Sequence, residues 1–555
     1  MLIPDGVKRA AWRQRCERPA LAWRVVHIDL KGPKIPPGVF ADLLRLYAAW
    51  GINGVLVEYE HRLCCLPLSS QFPEEDRYSR EEVAYLTELA DELGIEWIPL
   101  FQSLGHCEYL SRLPGMQALV ENPEEPSQLC PSRPAVRAYV QGMLDVLCEL
   151  HPKSSFVHVG LDETHWLGHC PECRHRAEKL GGRLELYLEH ATWVCEECVR
   201  RGRVPVVWGD MFAGGGRLDL LGHLPPETVV VPWEYSAVGD FETAIWFKGR
   251  RPCRSAFRCT YDGTRLGSAL PALASDGGFA DDLPSEILAE AGGLDGATGL
   301  ARSFCQMRLI SKHVRRLWAA GAAQASSHGL VHANFFRGAL NCNQVVREVL
   351  RAGGEGAIAT NWARGHSLAP VNAPWPLALY AVAQFAAGAW TGQTSRRDLE
   401  ERAPEIARVL GMPDRLGRWS LDDLLWMLSN PTGAETCAMV QEILERNPGS
   451  GAFAEGLALA LRIRQVVSEL QFLQVEGRWW FPCAAELPAR IGVGMRERLK
   501  RVESDLQGLE ASARSYYLRW VGTEKDFALW WKGLFGADME LSRRAVELIA
   551  TRKGE

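Results

Sequence analysis

The feature that most constrains the fold is an alternation of short apolar strands with longer amphipathic helices across residues 23–366. The segments that predict strands are RVVHIDL (24–30), GVLVEY (54–59), EWIPLF (96–101), FVHVG (156–160), VPVVWGD (204–210), TVVVPW (228–233) and AIATNW (357–362). Between them, stretches such as GVFADLLRLYAAWG (38–51) have helical apolar spacing and end in glycine. Apolar strands separated by helices indicate a parallel sheet, and eight such units close a barrel.

Seven strands are clear, and two segments compete for the eighth. One is RSAFRCTY (254–261), and the other is AAQASSHGLVHANFF (322–336), which follows an amphipathic helix predicted over 305–321. The second segment continues the helix-then-strand order, so we place the seventh strand there. Residues 236–300 then form a long insertion after strand six, and loops of this length are usually functional.

The pattern changes after residue 366, where strands give way to long helices. One helix face repeats at spacings of three, four and three residues: Leu499, Val502, Leu506 and Leu509. We therefore expect an α/β fold, with a (β/α)8 TIM barrel over residues 1–366 and an additional α-helical domain over 367–555. The helical domain is expected to pack on the barrel or to form a homodimer contact.

Composition limits the possible binding partners and the cellular compartment of the protein. The formal net charge is −6, which does not favour nucleic acid or an anionic membrane as a partner. We find no apolar run typical of a secretory signal or long enough to span a bilayer. Sixteen cysteines in such a chain are typical of reduced thiols, so we expect a cytoplasmic protein.

Polar and aromatic residues gather where the predicted strands end, which is where a barrel of this kind places its active site. In chain order they are His27, Asp29, Lys31, Glu58, Tyr59, Glu60, His106, His158, Asp162, Glu163, Trp208, Asp210, Trp233, Glu234, Tyr235, Trp362, Arg364 and His366. Aromatic walls with a few polar groups suit a sugar ring. Asp162 and Glu163 are adjacent and point in opposite directions, so they can serve different roles in glycoside cleavage.

These strand ends resemble glycoside hydrolase family 20, the β-N-acetylhexosaminidases, and the match is closer to its hexosaminidase D branch. The segment HVGLDE (158–163) looks like the family's His-x-Gly-x-Asp-Glu signature. Further motifs match in the same order: VHIDLKG (26–32), GVLVEYE (54–60), IPLFQSLGH (98–106), VVWGDM (206–211), PWEY (232–235) and NFFRGA (334–339). The resemblance covers residues 23–366, whereas the insertion and the helical domain depart from the short family pattern.

The resemblance implies a retaining exo-β-N-acetylhexosaminidase that releases terminal GlcNAc or GalNAc from an oligosaccharide or glycoconjugate without a cofactor. The substrate's acetamido oxygen would attack C1 and form an oxazolinium intermediate. Glu163 would act as general acid and then base, and Asp162 would orient the acetamido group. The implied substrate contacts are Tyr235 to the acetamido oxygen, Trp208, Trp233 and Trp362 as walls, His106 and His158 as braces for the acids, and Asp210, Asp29 and Arg364 as further binding residues.

Two other interpretations stay open. A metal-dependent barrel hydrolase would use His27, Asp29, His106 and Asp162, although no His-x-His pair stands at a strand end. A non-catalytic sugar-binding barrel would fit the aromatic rim, although the intact acid pair argues against it.

Two Cys-x-x-Cys pairs suggest structural zinc. Cys195 would lie roughly 15 Å along a helix that leads away from Cys170 and Cys173, so the pairs are too far apart to share one ion. A smaller zinc site would combine Cys170 and Cys173 with one of three histidines: His165, His169 or His175. Free thiols are the alternative.

Overall fold

The computed structural model of the 555-residue chain describes residues 10–67, 71–215, 217–235, 237–242, 301–325, 335–365, 369, 371–429, 434–481 and 489–551. Eight parallel strands close a barrel, which confirms the predicted fold class. The strands are β1 Trp23–Asp29, β2 Gly54–Glu58, β3 Glu96–Leu100, β4 Phe156–His158, β5 Val204–Trp208, β6 Val229–Val231, β7 Arg316–Gln324 and β8 Gly356–Asn361. They pair in the order β1-β8-β7-β6-β5-β4-β3-β2, with β1 also hydrogen-bonded to β2.

Helices separate the strands and then take over the chain. In the barrel region they are α1 Trp12–Arg15, α2 Pro37–Trp50, α3 Arg80–Glu92, α4 Pro134–Leu150, α5 Pro171–Leu180, α6 Arg183–Arg200, α7 Asp210–Gly215, α8 Cys305–Ser311 and α9 Phe335–Arg351. The helical region that follows contains α10 Leu379–Thr391, α11 Arg396–Val409, α12 Leu421–Ser429, α13 Ala434–Arg446, α14 Ala452–Trp480, α15 Ala489–Trp520 and α16 Glu524–Thr551. Short 3₁₀ turns lie at Glu60–Arg62, Glu74–Asp76, Glu108–Arg112, Met116–Leu119, Leu218–His223 and Trp375–Ala378.

Large rings fill the amino-terminal end of the barrel. Trp23, Phe156 and Trp318 pack against one another with ring centroids 5.1 to 5.5 Å apart. A barrel interior filled in this way is a packed core and not a pore. The opposite end, at the carboxyl termini of the strands, is therefore the one at which a substrate can enter.

The position of the seventh strand corrects the sequence-based prediction. Strand β7 covers Arg316–Gln324, a stretch predicted as helix over most of its length. Its alanines have high helix and low strand propensity, but tertiary packing overrides propensity. A Cβ at Gly321 would lie 2.8 Å from the Val345 side chain of α9, so only small residues fit where that helix crosses the strand.

Parts of the predicted segments lie outside the described residues. These are 326–334 of the predicted strand, all of the competing strand at 254–261, and 236 and 243–300 of the predicted insertion. The described flanks of the insertion meet, because Phe241–Glu242 pairs antiparallel with Ala301–Arg302. The remainder of the predicted strand, Phe335 and Phe336, begins α9 instead.

The first turn of α16 is anchored to the loops after β1 and β2. Asp526 accepts a hydrogen bond from Arg62 Nη2 at 3.0 Å, and its other oxygen accepts the backbone N–H of Lys34 at 3.1 Å. Arg62 also donates to the carbonyl oxygens of Leu30 and Gly32. The helical region thus holds the loop next to the barrel mouth. The division of the chain into domains at residue 366 stays a prediction.

Among the residues that the structure describes, no helix is both long and apolar enough to cross a membrane.

We predict that Arg62→Ala destabilises the protein by about 3 kcal/mol, because it leaves the buried Asp526 carboxylate without its cation. Arg80→Ala is the matched control, since the Arg80–Glu149 pair is solvent-exposed and such pairs contribute little to stability. Thermal unfolding followed by circular dichroism measures both. Equal melting temperatures for the two variants would contradict the prediction.

Candidate active site

The turn that follows β4 carries the two adjacent acids. Gly160, Leu161 and Glu163 have φ angles of 68°, 80° and 53°. A positive φ is unfavourable for residues other than glycine, and such residues concentrate at functional sites. The hydroxyl of Tyr187 donates to the carbonyl oxygen of Leu161 at 3.0 Å, and the backbone N–H of Glu163 donates to Asp210 Oδ2 at 3.2 Å. The acids therefore lie on a turn that its neighbours hold in a strained conformation.

His106 bridges the two acids. Its Nε2 lies 3.2 Å from Asp162 Oδ2 and 3.3 Å from Glu163 Oε2, and its Nδ1 lies 3.7 Å from Glu108 Oε1. Burial favours the neutral ring, but the charges of Asp162 and Glu108 and the hydrogen bonds to them outweigh it and raise the pKa of His106 well above its usual value. The ring is cationic at neutral pH and offsets part of the repulsion between the neighbouring carboxylates.

Two buried groups behind the acids are mostly uncharged at neutral pH. Burial, followed by the negative charge of Asp162, raises the pKa of Asp210 to about 8. Burial lowers the pKa of His158 to about 3. His158 Nδ1 accepts the backbone N–H of Gly160 at 3.0 Å, and Trp233 Nε1 donates to Asp210 Oδ1 at 3.4 Å. Both groups thus shape the turn and its surroundings.

Aromatic rings stand beside the acid turn. Trp233 and Tyr235 stack with centroids 4.8 Å apart, and both are half-buried. Tyr235 and Trp208 each lie 6.3 Å from the ring of Trp362. Trp208 is only 1% exposed and packs 4.5 Å from His158. The accessible wall therefore consists mainly of Trp233 and Tyr235, with Trp208 supporting it from below.

This turn and its surroundings match a sequence-family model. Residues 66–251, which include both acids, His106, Asp210 and the stacked rings, match the model described as glycosyl hydrolase family 20, catalytic domain. Residues 66–251 are thus similar to glycosyl hydrolase family 20. We refer to them as the family 20 segment.

The chain is also similar to curated proteins and to solved structures. Hexosaminidase D of Bos taurus is 32% identical over 220 residues, which is 39% of this chain and 63% of that protein. Hexosaminidase D of Homo sapiens is 30% identical over 227 residues, which is 39% of this chain and 45% of that protein. The chain thus spans less than two thirds of either relative. A crystal structure of Flavobacterium johnsoniae chitobiase is 13% identical, with a TM-score of 0.46 over 94% of this chain and 78% of that chain.

Outside the family 20 segment, a buried ion-pair network occupies the ends of β1 and β2. Lys31 Nζ lies 2.9 Å from Glu58 Oε2 and 3.2 Å from Asp29 Oδ1, and His27 Nε2 lies 3.1 Å from Glu58 Oε2. Burial disfavours both charges, but the attraction between Lys31 and its carboxylates raises the pKa of Lys31 and lowers that of Glu58. Asp29 Oδ2 also accepts the backbone N–H of Ala363 at 2.9 Å. Both oxygens of Asp29 are therefore engaged within the protein.

Two further predicted strand-end residues are Arg364 and His366. Arg364 is half-buried, and its charge acts on Tyr517 of α15, so it faces the helical region. His366 lies outside the described residues. The binding roles of Asp29 and Arg364 stay predictions.

The residues considered for a metal-dependent hydrolase do not come together as a ligand set. His27 pairs with Glu58 and Asp29 with Lys31, whereas His106 pairs with Asp162. Within the part of the chain that the structure describes, the cluster suited to a metal ion contains none of these four residues.

Two polar residues near the acids were not predicted from the sequence. Glu108 is the second carboxylate on His106, and Gln102 Nε2 donates to Glu58 Oε1 at 3.2 Å. Both belong to FQSLGHCEY, directly after β3. Their position at a strand end is the signal that could have identified them.

We predict that His106→Asn lowers the free energy of unfolding by about 2 kcal/mol at pH 6, where the cationic ring bonds to charged carboxylates. The pKa of His106 is raised in the folded chain, so its stabilisation is complete below the unfolded value of about 6.5 and is lost as pH rises through the folded value. Melting temperatures at pH 6 and pH 9 test this. The difference from wild type should shrink at pH 9, and the exposed His223→Asn should show no difference at either pH.

Proposed function

We propose that the chain is a retaining exo-β-N-acetylhexosaminidase that removes a terminal GlcNAc or GalNAc residue by substrate-assisted catalysis. The observation that carries the proposal is the strained turn of Asp162 and Glu163 at the carboxyl end of β4, bridged by His106 within the family 20 segment. The relatives named Hexosaminidase D support the same activity.

The two acids have different surroundings, which suits two roles. Asp162 is 6% exposed, whereas Glu163 is half-buried and more open to the barrel mouth. A cationic His106 stabilises negative charge on Asp162, which can then accept the acetamido N–H and stabilise the positive charge that develops on the ring. Glu163 is the more accessible acid and the better placed to meet the leaving oxygen.

The proposed reaction has two steps. In the first, the acetamido oxygen attacks C1, the glycosidic C1–O bond breaks, and Glu163 gives its proton to the leaving oxygen. In the second, the Glu163 carboxylate takes a proton from water, the hydroxide attacks C1, and the oxazolinium ring opens to return the acetamido group. The backbone hydrogen bond from Glu163 to Asp210 holds the acid in place for both steps.

The aromatic wall suits the sugar. Trp233 and Tyr235 present stacked, half-buried rings to the mouth, and the C–H face of a pyranose packs on such surfaces. The proposed substrate is an N-acetylhexosamine-terminated oligosaccharide or glycoconjugate, and the chemistry requires no cofactor. A cytoplasmic location, a homodimer and the absence of nucleic-acid or membrane partners stay predictions.

We predict that the p-nitrophenyl β-glycosides of GlcNAc and GalNAc are hydrolysed at least about 100-fold faster than those of glucose and galactose, because only the former carry the internal nucleophile. Release of p-nitrophenol from the four substrates in parallel measures this. Equal turnover of the glycosides that lack the acetamido group would exclude the mechanism.

We predict that Glu163→Gln lowers kcat about 10³-fold on a disaccharide, whose leaving group needs a proton, and much less on an activated aryl glycoside. Asp162→Asn should lower kcat on both substrates, since it acts on the acetamido group and not on the leaving group. The exposed Glu227→Gln is the control and should match wild type. An Asp162→Asn enzyme that loses activity only on the disaccharide would reverse the two assignments.

A further inference from the structure

A second polar cluster lies behind the loops of the family 20 segment. Glu121, Cys130, Cys170 and Cys173 each offer one ligand atom, and these atoms lie within 4.8 Å of one another. All four residues are buried. The proposed catalysis uses none of them.

The sulfur atoms have the spacing of ligands around one ion. Cys130 Sγ lies 3.6 Å from Cys170 Sγ and 3.4 Å from Cys173 Sγ. A tetrahedral zinc ion with bonds of about 2.3 Å places its sulfur ligands about 3.8 Å apart. A disulfide would require about 2.05 Å, and the three cysteines are free.

Two backbone elements bring the four residues together. Glu121 and Cys130 flank the antiparallel bridge between Val120 and Leu129 on opposite strands, where the N–H of Glu121 donates to the oxygen of Gln128 and the N–H of Cys130 to that of Leu119, each at 2.8 Å. Cys170 precedes α5, and its sulfur accepts the backbone N–H of Cys173 at 3.4 Å. The positive end of the α5 dipole thus faces two sulfurs, which favours thiolates.

Glu121 is oriented toward the sulfurs. Its Oε1 accepts the backbone N–H of Cys170 at 2.9 Å, which fixes the carboxylate next to the cysteine pair. Its Oε2 is buried and makes no hydrogen bond of normal geometry with the described residues. A buried carboxylate beside three thiols is costly in free energy unless a cation or another charged partner compensates it.

We propose that Glu121, Cys130, Cys170 and Cys173 form a closed structural site for one zinc ion. Three thiolates and one carboxylate provide the four ligands of a structural site, and the soft sulfurs favour zinc over magnesium or calcium. Binding releases the three thiol protons to solvent. Cys130 and Glu121 complete the site with Cys170 and Cys173, in place of the histidine predicted from the sequence. The pair Cys195 and Cys198 on α6 is not part of the site.

The zinc site would position the acid turn. Gln128, in the same hairpin as Glu121 and Cys130, accepts the backbone N–H of Trp166 through its Oε1 at 2.9 Å. Trp166 lies three residues after Glu163, and Cys170 ends the same loop. An ion that joins the hairpin to α5 therefore fixes both ends of the loop that leaves the active site.

Metal analysis of the full-length chain tests the site directly. The chain purified without chelators should contain about one zinc per molecule by plasma mass spectrometry. Cys130→Ala/Cys173→Ala should reduce the zinc content at least about tenfold, whereas Cys195→Ala/Cys198→Ala, which removes a buried Cys-x-x-Cys pair elsewhere, should retain it. Wild-type protein without zinc, or equal loss in both double variants, would overturn the proposal.

Two further measurements keep the test decisive if the double variant does not fold. Cobalt(II) added to metal-stripped wild type should give a thiolate-to-metal charge-transfer band and the visible bands of a tetrahedral ion. Glu121→Gln should keep the far-ultraviolet circular dichroism of wild type but bind zinc at least about tenfold more weakly against a chromogenic chelator. A Cys130–Cys173 disulfide in anaerobically purified protein, with no zinc, would also overturn the proposal.

Discussion

The site depends on one shared cation. Two adjacent carboxylates beside a buried strand end would repel each other and lose solvation. His106 lies within 3.3 Å of both, and Glu108 on its other nitrogen helps to keep the ring protonated. The imidazole ring of His106 and the strained turn both constrain the two acids. The surrounding structure therefore sets the distance between Asp162 and Glu163 and their different exposure to solvent.

Closure of the barrel brings the other residues of the site close to the two acids. The carboxyl ends of β3, β4, β5 and β6 meet at one mouth, so His106, the acid turn, Asp210 and the aromatic wall converge although they span much of the family 20 segment. The neighbouring network of Lys31, Glu58 and Asp29 is buried and satisfied within the protein. It lies at the ends of β1 and β2 next to β3, whereas the acid turn carries the more accessible Glu163.

The sequence predicted the fold and the acid pair because both depend on local patterns. β-branched strands alternate clearly with amphipathic helices, and adjacent acids after a strand are conspicuous. The seventh strand was misplaced because its alanines favour a helix, and only contact with α9 makes small residues necessary there. Long-range partners were also missed: Cys130 lies 40 residues from Cys170, and Asp526 lies 464 residues from Arg62, so no local motif connects them. Trp208 is also more buried than its position at a strand end suggests, because its burial depends on packing with other strands.

The contact between α16 and the barrel has an evolutionary consequence. Gly522, just before α16, leaves room for Pro33, since a Cβ there would lie 2.6 Å from the proline ring, and Asp526 lies 3.0 Å from Arg62, which Asp76 of the barrel region approaches only to 3.7 Å. A gene shortened to encode the barrel alone would expose that arginine and the apolar surface around it. The terminal helices are therefore expected to be needed for the stability of the barrel, and substitutions in the two parts are expected to have been selected together.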